Sequence, residues 1–120
     1  MSNFNKVMES LRSTGGFSYC LITGELNPNE GFMVGGNVSP AVYSGEPSEE
    51  EVKAFALEHS DLLSDEVEPL FLGGWRDDKT NLYHLDIVTL LPSEADARFL
   101  ASMRRELAIF DNKRKVSIYL

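Results

Sequence analysis

Two apolar runs, Leu70-Phe71-Leu72-Gly73-Gly74-Trp75 and Leu82-Tyr83-His84-Leu85-Asp86-Ile87-Val88, flank the turn-forming stretch Asp77-Asp78-Lys79-Thr80-Asn81. Aliphatic and aromatic side chains suit a pleated surface, and the polar residues between them let the chain reverse, so the spacing predicts an antiparallel hairpin. This restricts the fold more than any other feature of the chain. A lone hairpin is barely stable in water, so further strands must flank it and other elements must cover its apolar face.

Helical periodicity supplies the cover. Phe4, Val7, Met8 and Leu11 recur on one helix face, with Ser2 placed as N-cap and Gly15-Gly16 beyond, which predicts a helix over residues 3–13. Phe17 to Thr23 reads as a strand, Asn27-Pro28-Asn29-Glu30-Gly31 as a turn, and Phe32-Met33-Val34 as the antiparallel return. Ala41-Val42-Tyr43, bracketed by breakers, predicts a short edge strand. Ser48 and Glu51 form a capping box for a helix whose core stripe is Val52, Phe55, Ala56 and His59. Ser93 caps a third helix reaching about Ala108, with Phe99, Leu100, Met103 and Leu107 turned to the core. Ala108-Ile109-Phe110 and Val116 to Leu120 make a last hairpin. Helices that alternate with hairpins, in the order αββ(β)αββαββ, predict an α+β fold: a mainly antiparallel sheet of about six strands with three helices on one side.

A chain of 120 residues suits one domain, and its hydrophobic content of 42% is enough for a core, which argues against disorder. The lone Cys20 sits in a buried-strand pattern and cannot form an internal disulfide, which fits a reducing compartment. The first residues lack a signal-peptide pattern, and no apolar stretch is long enough to span a bilayer. The expectation is a cytoplasmic protein with no membrane partner.

The net charge of −8 is unevenly placed. Residues 46–68 hold nine acids against Lys53 alone, so this segment carries the whole −8. The last 23 residues carry +4, from Arg98, Arg104, Arg105, Lys113, Arg114 and Lys115 against Glu106 and Asp111. Acids favour a helix N-terminus, which accounts for some of the first group. The remaining reading is a carboxylate array, Glu49, Glu50, Glu51, Glu58, Asp61, Asp65 and Glu66, that steers toward a basic protein surface. A sequence pI near 4.7, with no aromatic side chains among the basic ones, argues against direct nucleic-acid binding. The opposed charges also admit a homodimer in which one copy's basic end meets the other's acidic helix.

Catalytic patterns are sparse. His84 and Asp86 share a strand face, as two metal ligands or an oriented imidazole would, but two residues do not make a site, and polar alternation in a half-buried strand accounts for them. Cys20 lacks a neighbouring base, and the serines lack a nucleophile elbow. Gly35-Gly36-Asn37 and Gly73-Gly74-Trp75 lack the spacing of a phosphate-binding loop, and read as places of close backbone approach. An alternative ligand site would gather Trp75, Tyr83, His84, Asp86, Arg104 and Arg105. No motif requires a metal or a cofactor.

The run Gly74-Trp75-Arg76-Asp77-Asp78, then Tyr83-His84-Leu85-Asp86, Ala97 and Glu106-Leu107-Ala108-Ile109-Phe110-Asp111, ending Ile118-Tyr119-Leu120, resembles a pattern in small phage and mobile-element proteins. In those, a Gly-x-Trp-x-Asp hairpin leads to Tyr-Leu-Asp, a helix and Ala-Ile-Tyr-Asp. The resemblance covers about the last 50 residues, and His84 interrupts its Tyr-Leu-Asp element. It implies a setting of small accessory and counter-defence proteins and assigns no site. The combined expectation is a non-enzymatic acidic interaction protein, an inhibitor of anti-CRISPR or other counter-defence type, docking its carboxylates on a basic nucleic-acid-binding partner. The alternative is a small-ligand or nucleotide-binding domain around Trp75, Tyr83, His84 and Asp86.

Overall fold

A computed structural model describes residues 4–120, so the N-cap expected at Ser2 lies outside the described residues. The expected central hairpin is present. β4 (Phe71–Arg76) and β5 (Tyr83–Leu91) pair antiparallel with Phe71 opposite Val88 and Trp75 opposite His84. Asp77 shapes the turn by accepting hydrogen bonds from Lys79 N (2.9 Å) and Thr80 Oγ1 (3.0 Å).

Around this hairpin the chain runs α1 (Phe4–Thr14), β1 (Gly16–Tyr19), β2 (Phe32–Val34), β3 (Ala41–Tyr43), α2 (Glu49–Glu58) and α3 (Ser60–Leu63) before it. After it come α4 (Glu94–Met103), β6 (Ala108–Asp111) and β7 (Val116–Tyr119). The result is an α+β fold with a curled antiparallel sheet ordered β1-β4-β5-β2-β6-β7, in which β3 also pairs with β5. The curl brings the β4–β5 turn to the last strand, where Lys79 Nζ lies 5.7 Å from the Tyr119 ring centroid.

One expected pairing is wrong. Residues 17–34 do not form a hairpin: β1 pairs with β4, and β2 pairs with β5 and β6. The first strand ends at Tyr19 because the chain turns at once, with Gly24 N donating to Cys20 O (2.8 Å). Asn27, at φ 54°, then ties the long loop back, accepting from Ser18 N (2.9 Å) and donating to Ser10 Oγ (2.9 Å). On one side β1 meets the returning loop, with Tyr19 bridged antiparallel to Leu26 and Asn27 N donating to Ser18 O (2.7 Å), and on the other it pairs along the edge of β4.

The capping box of α2 is formed as expected: Glu51 N donates to Ser48 Oγ (3.1 Å) and Ser48 N to Glu51 Oε1 (2.8 Å). Val52, Phe55 and Ala56 are buried, and with Val7, Met8 and Leu11 of α1 they cover Phe17, Leu72, Leu85 and Ile87 of the sheet. The short α3 was not anticipated, and it adds Leu63 to this core. Leu85 and Ile87 thus face the helices, while His84, Asp86 and Val88 face the other way. On that opposite side a smaller cluster of Cys20, Met33 and Phe71 packs with Val88, Leu90 and Phe110.

The third expected helix is misread in both length and facing. α4 ends at Met103 because Arg105 adopts φ 58°, with Glu106 N donating to Ala101 O (2.8 Å) and Arg105 N to Ser102 O (3.1 Å). This is a Schellman cap with arginine where glycine is usual. The helix meets the sheet through Ala97 and Ala101, packed on Val34 and Ile109. Phe99, Met103 and Leu107, assigned to the core by their spacing, are exposed, and only Leu100 is half-buried. Small residues allow close approach to the sheet, and that contact outranks the stripe of larger side chains.

Candidate functional site

The sheet has a notch. β3 pairs with Tyr83–Leu85 of β5 and β2 with Thr89–Leu91, so residues 86–88 have no strand neighbour on that side among the described residues. Side chains complete the ladder there. Ile87 N donates to Asp86 Oδ1 (2.8 Å), and Asn37 Nδ2 donates to Ile87 O (2.8 Å) and Thr89 Oγ1 (3.0 Å). Gly36 N donates to Asp86 Oδ2 (3.3 Å). From the far side Arg104 donates through Nη1 to Gly35 O (2.8 Å) and through Nη2 to Asn37 Oδ1 (3.2 Å).

Glycine is required where these groups meet. A Cβ on Gly35 would lie 2.5 Å from Asp86 Oδ2 and 3.1 Å from Glu106 Oε1, and Gly36 sits at φ 92° against Glu106 and Arg104. Asp86 and Glu106 therefore converge on one point, with Arg104 as the neutralising charge. Burial raises the Asp86 pKa above the ordinary carboxylate range, opposed by the Ile87 and Gly36 N–H groups and by the charges of Arg104 and His59. Burial also raises Glu106, reinforced by the Asp86 charge and opposed by Arg104.

Both folded pKa values lie above their unfolded ones, so the native state holds more protons in that interval and this pair weakens the fold as pH rises through it. Glu106→Gln removes one charge of the pair. The variant is expected to be more stable than wild type above the carboxylate range and to lose that advantage in acid, as read by urea unfolding across a pH series. An advantage independent of pH contradicts the charge origin.

The alternative ligand residues are scattered by the fold. Trp75 and His84 do meet, stacked at 4.4 Å with planes 12° apart. Tyr83 packs against the helix-covered core on the other face. Asp86 bonds to backbone within the notch, and no hydrogen bond joins it to His84 among the described residues. Arg105 lies apart, in a depression of about 430 Å³ with Arg98, Ser102, Glu106 and Leu120. A second depression, about 260 Å³, lies between α1 and the start of α2, at Asn5, Lys6, Met8, Glu9, Arg12 and Glu49. Neither includes Trp75, Tyr83, His84 or Asp86.

The acidic residues remain on the surface. Glu49 pairs with Lys53 (2.8 Å), Glu51 belongs to the capping box, and Asp65 accepts from Val67 N (2.9 Å) and Glu68 N (3.3 Å). Glu50, Glu58, Asp61 and Glu66 are exposed and make no ion pair among the described residues. Their field reaches β3: the Tyr43 hydroxyl pKa is raised by burial and then by Glu51 and Glu58. Glu58 lies in the last turn of α2, a turn without a basic residue, so it opposes the helix dipole. Helix stability gives no reason for a carboxylate there.

Asn37 and Glu106 were missed as site residues because each joins the notch only through tertiary folding. The one available signal was Gly35-Gly36 immediately before Asn37. Among the described residues no three His, Cys, Asp or Glu side chains cluster as metal ligands, and no helix is long and apolar enough to cross a membrane. No protein-family model, curated protein or solved structure matches the chain.

Proposed function

We propose that the protein acts by binding, not by catalysis, and that the α2–α3 surface is its contact with a basic partner. The observation that carries this reading is the placement of Glu50, Glu58, Asp61 and Glu66, which make no ion pair among the described residues, beside exposed Leu57, Leu62 and Val67. Charge steers a partner of opposite sign over a distance, and the apolar groups supply contact area once it arrives.

The partner that fits is a protein with a basic, nucleic-acid-binding surface, against which the carboxylates take the place of phosphates. The sharpest form is a phage-borne inhibitor of counter-defence type, anti-CRISPR included. The C-terminal resemblance to phage and mobile-element proteins supports that setting, and the sign of the charge supports that target.

Glu50→Lys, Glu58→Lys and Asp61→Lys combined test the reading. Partner proteins retained from a host lysate at low salt and released at high salt are identified with the wild type, and their affinities are then compared with the variant. The expected loss is at least about a hundredfold, since each reversed contact forfeits roughly 1 kcal/mol or more. The melting temperature should hardly move, because none of the three residues is in an ion pair among the described residues. An unchanged affinity removes the acidic surface from the function.

A further inference from the structure

β7 closes the strand order beside β6, and no strand lies beyond it among the described residues. Leu120 N donates to Leu107 O (2.9 Å), in the register that sets Ala108 opposite Tyr119. Bonded and non-bonded pairs alternate along an antiparallel ladder, so Val116, Ile118 and Leu120 turn their backbone groups toward β6. Ser117 and Tyr119 turn their N–H and C=O groups outward, where they meet no hydrogen-bonding partner among the described residues. Proteins blunt such edges with charge, proline or short length. The other edges here are blunted: β3 is three residues long behind Pro40, and β1 meets the returning loop at Leu26 and Asn27. β7 has no such guard. From Val116 to Leu120 there is neither charge nor proline, and Val116 is 44% exposed, Tyr119 68% and Leu120 50%.

We infer that β7 pairs antiparallel with β7 of a second copy, about a two-fold axis at Ile118, and so joins two sheets into one. The edge selects this occupant because it complements itself. With Ile118 opposite its own equivalent, Ser117 of each copy faces Tyr119 of the other, and every outward N–H and C=O of the two strands finds a partner. Ile118 lies on the α4 face, in the cluster of Ala97, Ala101 and Ile109. On that face Val116 comes opposite Leu120, so apolar side chains run unbroken across the join. On the other face the large Tyr119 ring falls beside the small Ser117. Charge selects the direction. Lys113, Arg114 and Lys115 lie in the turn between β6 and β7, and antiparallel pairing puts the two basic turns at opposite ends of the joined strands, whereas parallel pairing sets them side by side. The acidic surface stays out of the contact. No residue of β6 or β7 belongs to the core that α2 and α3 cover, so the dimer offers that surface twice to a basic partner.

A join this short falls below the standard interface size, so the dissociation constant is expected on the order of 10–100 µM. Sedimentation and light scattering of the full chain, over a concentration series spanning that value, measure it. High salt should change it by no more than about threefold, since backbone bonds and apolar contact carry the join. Ser117→Pro removes an outward N–H, and Tyr119→Lys places a charge on the edge. Each is expected to raise the constant at least about tenfold, with circular dichroism confirming the fold. Where Ser117→Pro fails to fold, Tyr119→Lys carries the test. Mild oxidation reads the register. Ile118→Cys stands opposite its own equivalent at disulfide distance and is expected to cross-link, whereas Ser117→Cys lies diagonal to its equivalent and out of reach. The native Cys20 is buried and does not compete. Glu50→Lys, Glu58→Lys and Asp61→Lys combined should dimerise at least as well as the wild type, which separates this contact from the partner surface proposed above. The inference is overturned by a wild type that stays monomeric, by a dimer that Tyr119→Lys leaves unchanged, by failure of Ile118→Cys to cross-link, or by loss of the dimer in the acidic-surface variant.

Discussion

Arg104→Ala is expected to destabilise the protein by about 2–3 kcal/mol, in the range expected when part-buried acceptors lose a charged donor. The cost has two sources. Gly35 O and Asn37 Oδ1 lose their donors, and Asp86 and Glu106 lose the positive charge that lets two carboxylates share one corner of the fold. Because the site is only partly buried, water recovers some of the loss. Arg104→Lys keeps the charge but cannot donate to both oxygens from one planar group, so an intermediate loss is expected. The diagnostic result is the pair Arg104→Ala with Glu106→Gln. Removing the Glu106 charge relieves the repulsion that Arg104 had balanced, so the double variant should be more stable than the sum of the two single effects predicts. Urea unfolding of the four proteins at neutral pH measures this, and strict additivity shows that Arg104 acts only through its hydrogen bonds.

The parts of the fold that sequence reveals are those written in neighbouring residues. The β4–β5 hairpin carries its own turn, and the capping box of α2 lies within four residues, so both were legible. The pairing of β1 with β4 joins segments more than fifty residues apart, and no local pattern records it. Locality instead favoured a false hairpin between residues 17 and 34. In α4 the apolar periodicity was real but pointed to the wrong side, since Ala97 and Ala101 fit the close contact with the sheet and Phe99 and Met103 do not. The same split holds for the candidate sites. The acidic segment was legible because its charges are consecutive. Sequence pattern groups Asp86 and Arg104 in a ligand site, yet the fold gives them the task of closing a notch, with Asn37 and Glu106, that exists because β5 changes partners midway.

Gly74→Val is expected to cost about 3 kcal/mol, the upper end of what overpacking a core usually costs. Gly74 pairs with Phe17 across β1 and β4, and the Phe17 ring lies directly over it. Even the first carbon of a side chain at Gly74 would stand 2.3 Å from Phe17 Cε2 and 2.8 Å from Cζ, well inside contact distance. The ring has little room to retreat, because it is 5% exposed in the main core with Leu72 and Leu85. Displacing it would also strain the ladder that joins β1 to β4, and the other edge of β1 is met, among the described residues, by the bridge of Tyr19 to Leu26. Phe17→Leu by itself leaves a void and is expected to destabilise by about 1–2 kcal/mol. Combined with Gly74→Ala it supplies the space the new methyl needs, so the double variant should be less impaired than the two single losses summed. Thermal and urea unfolding of Gly74→Ala, Phe17→Leu and the pair measure the coupling. A coupling of zero would mean that the backbone separates to admit the side chain, and that β1 is held to the sheet more loosely than its ring contact requires.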